Sequence, residues 1–520
     1  MKRSTLRTIS VLLGMAVLTG CGSATASTAD TTAGGGNTSA TASTASSETS
    51  ESVGTAGQKD DDPIVVFRSS KASMPSDDPI LPIMEDELGF ALQWDVVTDE
   101  YDTQLNTRLA GGNIPDIFQV PRNKIGDYIN QDLLMDVEPY LDQMPHLKAA
   151  YTEEDLNRGR YNGTLYTIPQ RPYIPYCDFS IRKDWLDNLG MKMPSTLDEL
   201  YDVMYAFTYN DPDGDGQQNT FAVTGTGMDA LQNIFAAFGT AVPGNFLIKD
   251  NKVVYSSVDP EAKDAIEFVQ KCVSEGLIDP ELFSNTTETA RDKCISGQAG
   301  IFAGITFWDI MKSTFQEQEK AVNPNAEWEL LMGVKGPAGT AYDDLYDESA
   351  VENLWGINPD LVDNQDRLNK VLKLFDYLCD EESGQKLVMF GVEGVHYNME
   401  NGEVVPTDKM ADLTHTYMFQ LTGRDDLPYL KVKFSYLSDE IDQCVNMNVM
   451  PCYNAAIFAP ENVSETDIER YSTEEMIKFI YGDRSLDEWD AYVDTLNSTY
   501  NLTDYLDKAT SDLTEKGYIK

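Results

Sequence analysis

Asp60-Asp61-Asp62-Pro63-Ile64-Val65-Val66-Phe67-Arg68-Ser69 marks where a featureless leader gives way to a folded chain. The acidic run and the proline close the leader, and Ile64 to Phe67 read as a first buried strand bounded by polar residues. The same pattern recurs at Asp116-Ile117-Phe118, and strands of this kind alternate with amphipathic helices through most of the chain. That alternation predicts an α/β fold with largely parallel sheets. Open sheets of this class bind ligands beyond the carboxyl ends of their strands. Arg68 and Ser69 after the first strand, and Gln119, Arg122 and Asn123 after the second, are therefore candidate cleft residues.

The helices between the strands carry their own punctuation. Thr196 and Glu199 form a capping-box pattern ahead of Leu200, Val203, Met204 and Phe207 at helical spacing. Asp259 and Pro260 start another helix, with Ala262, Ala265, Ile266, Val269 and Val273 on one face. Trp94, Trp185 and Trp489 sit in similar apolar settings and read as core. Trp355 fits either core or cleft.

Upstream, Lys2, Arg3 and Arg7 precede an apolar run from Ile9 to Leu18, far short of the roughly 20 residues that span a bilayer. The run ends in Leu18-Thr19-Gly20-Cys21, which resembles the lipobox of bacterial lipoproteins. The resemblance implies a signal peptide over 1–20 and a mature chain beginning at a lipidated, palmitate-bearing Cys21 held at the membrane. Gly22 to Lys59 is rich in Ser, Thr, Ala and Gly and cannot bury enough surface to offset its ordering entropy. Residues 21–62 are expected to tether a domain outside the cell.

Roughly 460 residues remain, a natural length for two lobes. The formal net charge of −47 argues against nucleic acid, anionic lipid and polyanionic ligands, and suits a neutral or cationic solute. Cys177, Cys272, Cys294, Cys379, Cys444 and Cys452 lack C-x-x-C spacing, and only His146, His396 and His415 could join them, so a zinc site has little support. Several of these cysteines fall among apolar residues and read as core.

The sharpest local motif is Asp211-Pro212-Asp213-Gly214-Asp215-Gly216-Gln217-Gln218-Asn219. Oxygen ligands at alternate positions, a glycine at the sharp turn and a backbone carbonyl at Gln217 fit the first part of a calcium loop. The bidentate Glu that usually ends such a loop is absent, since Ala222 stands there. Asp211, Asp213, Asp215, Gln217 and Asn219 are the expected ligands of one structural Ca²⁺, which would pin the loop.

Five segments taken in order resemble the family 1 extracellular solute-binding proteins, and in particular an LplA-like branch of them. They are Gly112 to Phe118, Asn162 to Pro169 (N-G-T-L-Y-T-I-P), Arg182 to Leu186 (R-K-D-W-L), Ile295 to Ile301, and Glu382 to Leu387 followed by Gly391 to Tyr397 (G-V-E-G-V-H-Y). Asn162, Gln298 and Gly300 depart from the family's Asp, Lys and Ala. The resemblance implies a two-lobe, periplasmic-binding-protein-like α/β fold with a hinge and an interlobe cleft. The expected partition is 63–175 for the first part of lobe 1, 176–345 for lobe 2, 346–395 for the return to lobe 1, and 396–520 for a helical C-terminal part of lobe 2. The crossings fall near Arg171 to Asp178 and Tyr342 to Trp355.

By the same resemblance Trp308 is a sugar-stacking platform, with Tyr173 and Tyr176 at the crossing beside it. An indole face suits the apolar side of a sugar ring while polar groups hold its rim. The function implied is the capture of a carbohydrate, expected to be a neutral oligosaccharide, by a monomeric lipoprotein on the extracytoplasmic face of a bacterial membrane. It would hand the ligand to the permeases of an ABC importer. A surface adhesin or sensor without transport would share the whole fold. No G-x-S-x-G, H-E-x-x-H or P-loop motif is present, and no carboxylate pair stands out, so no enzyme is expected.

Overall fold

A computed structural model describes residues 60–520, which excludes the leader, Cys21 and most of the tether. Two sheets organise these residues. The first runs, in spatial order, Phe90–Val97, Asp60–Ser69, Ile117–Gln119, Leu354–Ile357 and Thr167–Pro169. The second runs Trp328–Leu330, Phe179–Arg182, Ala299–Ala303 and Phe221–Gly225.

The sheets are mixed, and not largely parallel as the alternation suggests. Asp60–Ser69 pairs in parallel with both of its neighbours, but Leu354–Ile357 is antiparallel to Ile117–Gln119 and to Thr167–Pro169. In the second sheet Phe179–Arg182 is antiparallel to both neighbours, and only Ala299–Ala303 with Phe221–Gly225 is parallel. Connectivity gives the reason. Strands that end at the cleft all run one way. A strand entering from the other lobe starts at the cleft and must run against them.

The chain leaves the first sheet after Pro169 and enters the second at Phe179. It leaves the second after Leu330 and re-enters the first at Leu354. Within that return, Leu345–Asp347 pairs with Met450–Cys452 of a third passage. The stretch beyond residue 396, expected in the second lobe, stays with the first for some distance. Arg68 Nη1 donates to the Met418 carbonyl at 2.6 Å, Trp94 Nε1 donates to the same carbonyl at 3.1 Å, and His415 Nε2 lies 2.6 Å from Asp78 Oδ1. This stretch consists of short 3₁₀ turns, Asp408–Asp412 and Thr416–Phe419, with no amphipathic period to read. Only later does the chain join the second lobe, where Glu465–Tyr481 packs on Pro260–Ser274.

Several motifs turn out to hold the frame together. Thr196 Oγ1 accepts from the Glu199 N–H at 3.2 Å and caps Leu197–Tyr209 as expected. Asp116 accepts two hydrogen bonds from Arg367, at 2.6 and 2.7 Å, and one from the Val65 N–H at 2.7 Å. It thereby ties the first strand to helix Gln365–Tyr377. Arg182, fully buried, donates to Asp184 at 2.7 and 2.6 Å and to Glu319 at 3.5 Å. Gly300 is required by packing. A Cβ there would lie 2.3 Å from Phe207 and 2.5 Å from Trp185, whose rings meet edge to face at 5.2 Å. Trp94, Trp185, Trp355 and Trp489 are buried, and the six cysteines are buried free thiols.

Candidate functional site

The cleft is built where the carboxyl ends of the first sheet meet both crossings. Asp60–Ser69 delivers Arg68 and Ser69, Ile117–Gln119 delivers Gln119, the outgoing crossing brings Gln170 and Tyr173, and the return brings Glu352 and Asn353. Together with Ser70, Lys71, Thr98 and Tyr417 they line a cavity of about 380 Å³. A continuous chain of amides runs through it. Gln119 accepts from the Ser69 N–H at 2.9 Å and donates to Asn353 Oδ1 at 2.5 Å, Asn353 donates to Gln170 Oε1 at 2.7 Å, and Gln170 donates to the Tyr173 hydroxyl at 2.7 Å. This ladder joins the first sheet to the two crossings and lines the cavity with amide and hydroxyl groups.

A second cavity of about 300 Å³ shares Tyr173 and Glu352 with the first and adds Tyr176, Asp178 and Tyr346. Here the aromatic side of the site is assembled. Tyr176 donates to Asp426 Oδ2 at 2.7 Å, and Arg424 lies 4.4 Å from the centre of the Tyr173 ring while pairing with Asp426 at 2.7 Å. Burial pushes the Tyr173 hydroxyl up to about 12. Burial, with the Asp229 and Asp309 charges nearby, pushes Asp178 up to about 7. The buried Asp344, whose Oδ2 accepts from the Asp178 N–H at 2.8 Å, is raised well above the usual carboxylate range by its burial and by Asp178. On this wall of the cleft Asp178 is therefore a poor anion, well suited to accepting or donating hydrogen bonds with hydroxyls.

The candidate residues separate accordingly. Arg68, Gln119 and Tyr173 share the first cavity, and Tyr173 and Tyr176 share the second. Arg68 forms part of the floor: it is 5% exposed, donates to Met418 and lies 5.5 Å from the Trp355 ring centre. Trp308 departs from expectation. It is 7% exposed, with Phe307 at 4.0 Å and Phe434 at 4.7 Å on its faces and Tyr176 edge-on at 5.6 Å. It supports Tyr176 from behind and offers no open ring face. Small residues do deliver it from the strand Ala299–Ala303, but the following helix, Trp308–Met311, turns it into the core. Asn123 is exposed and lines neither cavity, while Arg122 lines a third.

Gln170, Glu352, Asn353 and Asp178 were missed as site residues, although each lies within or beside a predicted crossing. Tyr417, Arg424 and Asp426 come from the stretch assigned to the wrong lobe, and no local signal marks them.

In the acidic loop, ligand oxygens of Asp211, Asp213 and Asp215 lie within 4.8 Å of one another, a hard-oxygen set that fits Ca²⁺. Burial, then the neighbouring Asp215 and Asp211 charges, raises Asp213. Asn219 Nδ2 donates to Asp215 Oδ2 at 3.1 Å and the Gln217 N–H donates to Asp215 Oδ1 at 2.7 Å, so both residues close the loop on itself.

The fold recurs in known proteins. The profile of the bacterial extracellular solute-binding protein family matches residues 84–341. The polygalacturonan/rhamnogalacturonan-binding protein YtcQ of Bacillus subtilis is 28% identical over 57% of this chain and 59% of its own length. Lipoprotein LipO of the same organism is 27% identical over 69% of this chain and 72% of its own. Among solved structures, the alginate-binding protein AlgQ2 without calcium ion superposes with a TM-score of 0.67 at 20% identity, covering 87% of this chain and 98% of that one. Streptococcus pneumoniae FusA in complex with kestose gives a TM-score of 0.66 at 20% identity, covering 88% and 99%. The two-lobe, periplasmic-binding-protein-like fold is thus shared with solved sugar-binding proteins, and residues 84–341 carry the pattern of the bacterial extracellular solute-binding protein family.

Proposed function

We propose that this protein captures an oligosaccharide in the cleft between its lobes and passes it to the permeases of an ABC importer, without chemistry of its own. The observation that carries the reading is the amide ladder from Ser69 through Gln119, Asn353 and Gln170 to Tyr173. It presents polar edges beside the tyrosines of both cavities, as a ring with an apolar face and a hydroxyl rim requires. The relatives' names point the same way, since YtcQ is described as a polygalacturonan/rhamnogalacturonan-binding protein and FusA as a fructooligosaccharide substrate-binding protein. Closure over the ligand would be a hinge movement about the crossings. Calorimetric screening of saccharides against the chain, with Asn353→Ala as the cleft variant, tests it. A saccharide bound tightly by the native chain and at least tenfold more weakly by the variant supports the reading.

The remaining parts of the proposal are a lipid anchor at Cys21, an extracytoplasmic location, a monomeric state, and one structural Ca²⁺ held by Asp211, Asp213 and Asp215 with the Gln217 carbonyl and Asn219. LipO is named as a lipoprotein, and one FusA structure is described as an EF-hand mutant. Both descriptions are in keeping with those assignments.

A further inference from the structure

A cavity of about 500 Å³ opens between the lobes beside the site already described. Its walls come from Arg122 after the strand Ile117–Gln119, from Glu154 to Gly163, from Ser349 in the return crossing, and from Ala455, Ala456 and Glu515 to Tyr518 near the C-terminus. Four cations line it, Arg122, Arg158, Arg160 and Lys516, against two carboxylates, Glu154 and Glu515. In a chain with 86 acidic and 39 basic residues, such a wall runs against the overall composition.

The four cations are not equivalent. Arg160 is paired with Glu138 at 3.0 Å and Glu153 at 2.5 Å, and Arg158 with Asp155 at 2.6 Å and Glu154 at 3.4 Å. Arg122 and Lys516 have no carboxylate within ion-pair distance among the described residues. They share one aromatic ring, with the Arg122 guanidinium 4.8 Å and the Lys516 ammonium 5.5 Å from the centre of Phe458. Arg122 Nη2 is buried with no hydrogen-bond partner. Asp347, Glu465 and Asp512 face Arg122 at longer range. Asp347 is occupied by the Ser349 and Ala455 N–H groups, and Asp512 by Lys508 and the Phe458 N–H. Desolvation and the Arg122 charge hold the Lys516 ammonium below the usual lysine range, although the residue as a whole is exposed. Two like charges around one ring, with a donor left over, are what a bound anion would relieve.

We propose that this cavity is an anion subsite of the carbohydrate cleft that takes a carboxylate carried by the saccharide, making the ligand a uronate-containing oligosaccharide. The inference rests on the carbohydrate reading of the cleft and refines it. A planar monoanion matches the fork of a guanidinium, whereas Glu154 and Glu515 would oppose a dianion such as phosphate more strongly. The volume lies within the usual ligand range of about 300–1,000 Å³. The acidity of the whole chain argues for neutral ligands only at long range, and screening over about 8 Å lets the local wall decide at contact.

The test uses the full chain, Arg122→Gln and Lys516→Gln, titrated calorimetrically with a galacturonate trimer and its carboxyl-reduced neutral counterpart. The native protein should prefer the acidic trimer at least tenfold, and each variant should lose most of that preference while keeping its affinity for the neutral one. Equal affinity for the two trimers, or a preference that survives both substitutions, overturns the proposal while leaving the carbohydrate reading standing. Thermal unfolding in sodium acetate against sodium chloride at equal ionic strength separates the two readings if neither trimer binds. Stabilisation by acetate in the native chain but in neither variant supports the anion subsite and directs the search to other uronate saccharides, and its absence overturns the subsite. Lys516 is exposed, so its variant is expected to fold even if the Arg122 variant does not.

Discussion

Replacing Asp178 by Asn should stabilise the protein strongly at pH 8 and only slightly at pH 4.5. Asp178 sits at the start of the second lobe, facing the cleft, with its N–H bonded to Asp344 and the charges of Asp229 and Asp309 close by. Its carboxyl is held at about 7, while an unfolded chain ionises an aspartate near 3.9. Between those two values the unfolded state gives up the proton and the folded state keeps it, so stability falls as pH rises through that window. One such carboxyl is worth up to about 4 kcal/mol when fully displaced, and because Asp344 shares the site we expect about 2–4 kcal/mol. Asn copies the protonated form, so the variant should lose this part of the pH dependence and no more. Urea denaturation followed by circular dichroism from pH 4.5 to 8.5, on the two proteins side by side, measures the difference directly. Parallel stability curves across that range, or a variant weaker than the native chain at pH 8, would refute the argument.

Gly300→Ala should destabilise the chain by about 1–3 kcal/mol, since the new Cβ meets Phe207 and Trp185 well inside contact distance; denaturant midpoints check it. Arg182→Ala should cost about 3–5 kcal/mol because it strands the buried Glu319 without its cation, and Arg182→Met with Glu319→Gln should recover part of the loss. Trp308→Ala should behave as a core truncation, losing about 3–5 kcal/mol in the same assay, which a freely exposed stacking residue would not. Calcium should raise the melting temperature over chelator, and Asp213→Asn with Asp215→Asn should abolish the increase. Cys21→Ala should release the protein from membranes in a fractionation experiment.

Much of the frame was legible because it rests on short-range rules. The cap at Thr196, the first strand and the helix after Asp259 follow from local pattern, and all three form as expected. The direction of strands at the crossings was not legible, because it depends on which side of the cleft the chain arrives from and leaves no mark in hydrophobic periodicity. The site divides along the same line. Gln119, Tyr173 and Tyr176 follow strand ends or lie in a crossing, so position alone singled them out. Arg424, Asp426 and Lys516 reach the cleft from a distant loop, the helix start that follows it and the turn after the last helix, and their roles depend on tertiary contacts. Trp308 failed for a different reason. Nothing local distinguishes an indole laid across a cleft from one closed in by Phe434, which is far along the chain. Gly300 shows the converse, a departure from the family pattern that becomes intelligible only once Trp185 and Phe207 are seen against it.

Isothermal calorimetry of the full chain and of Asn353→Ala against a saccharide panel spanning neutral and uronate oligosaccharides tests the central claim most directly. The account predicts that at least one oligosaccharide binds the native chain and binds the variant at least tenfold more weakly, with both proteins folded. Saccharide binding that is unaffected by the loss of Asn353, or a folded native chain that binds no member of the panel, would contradict it.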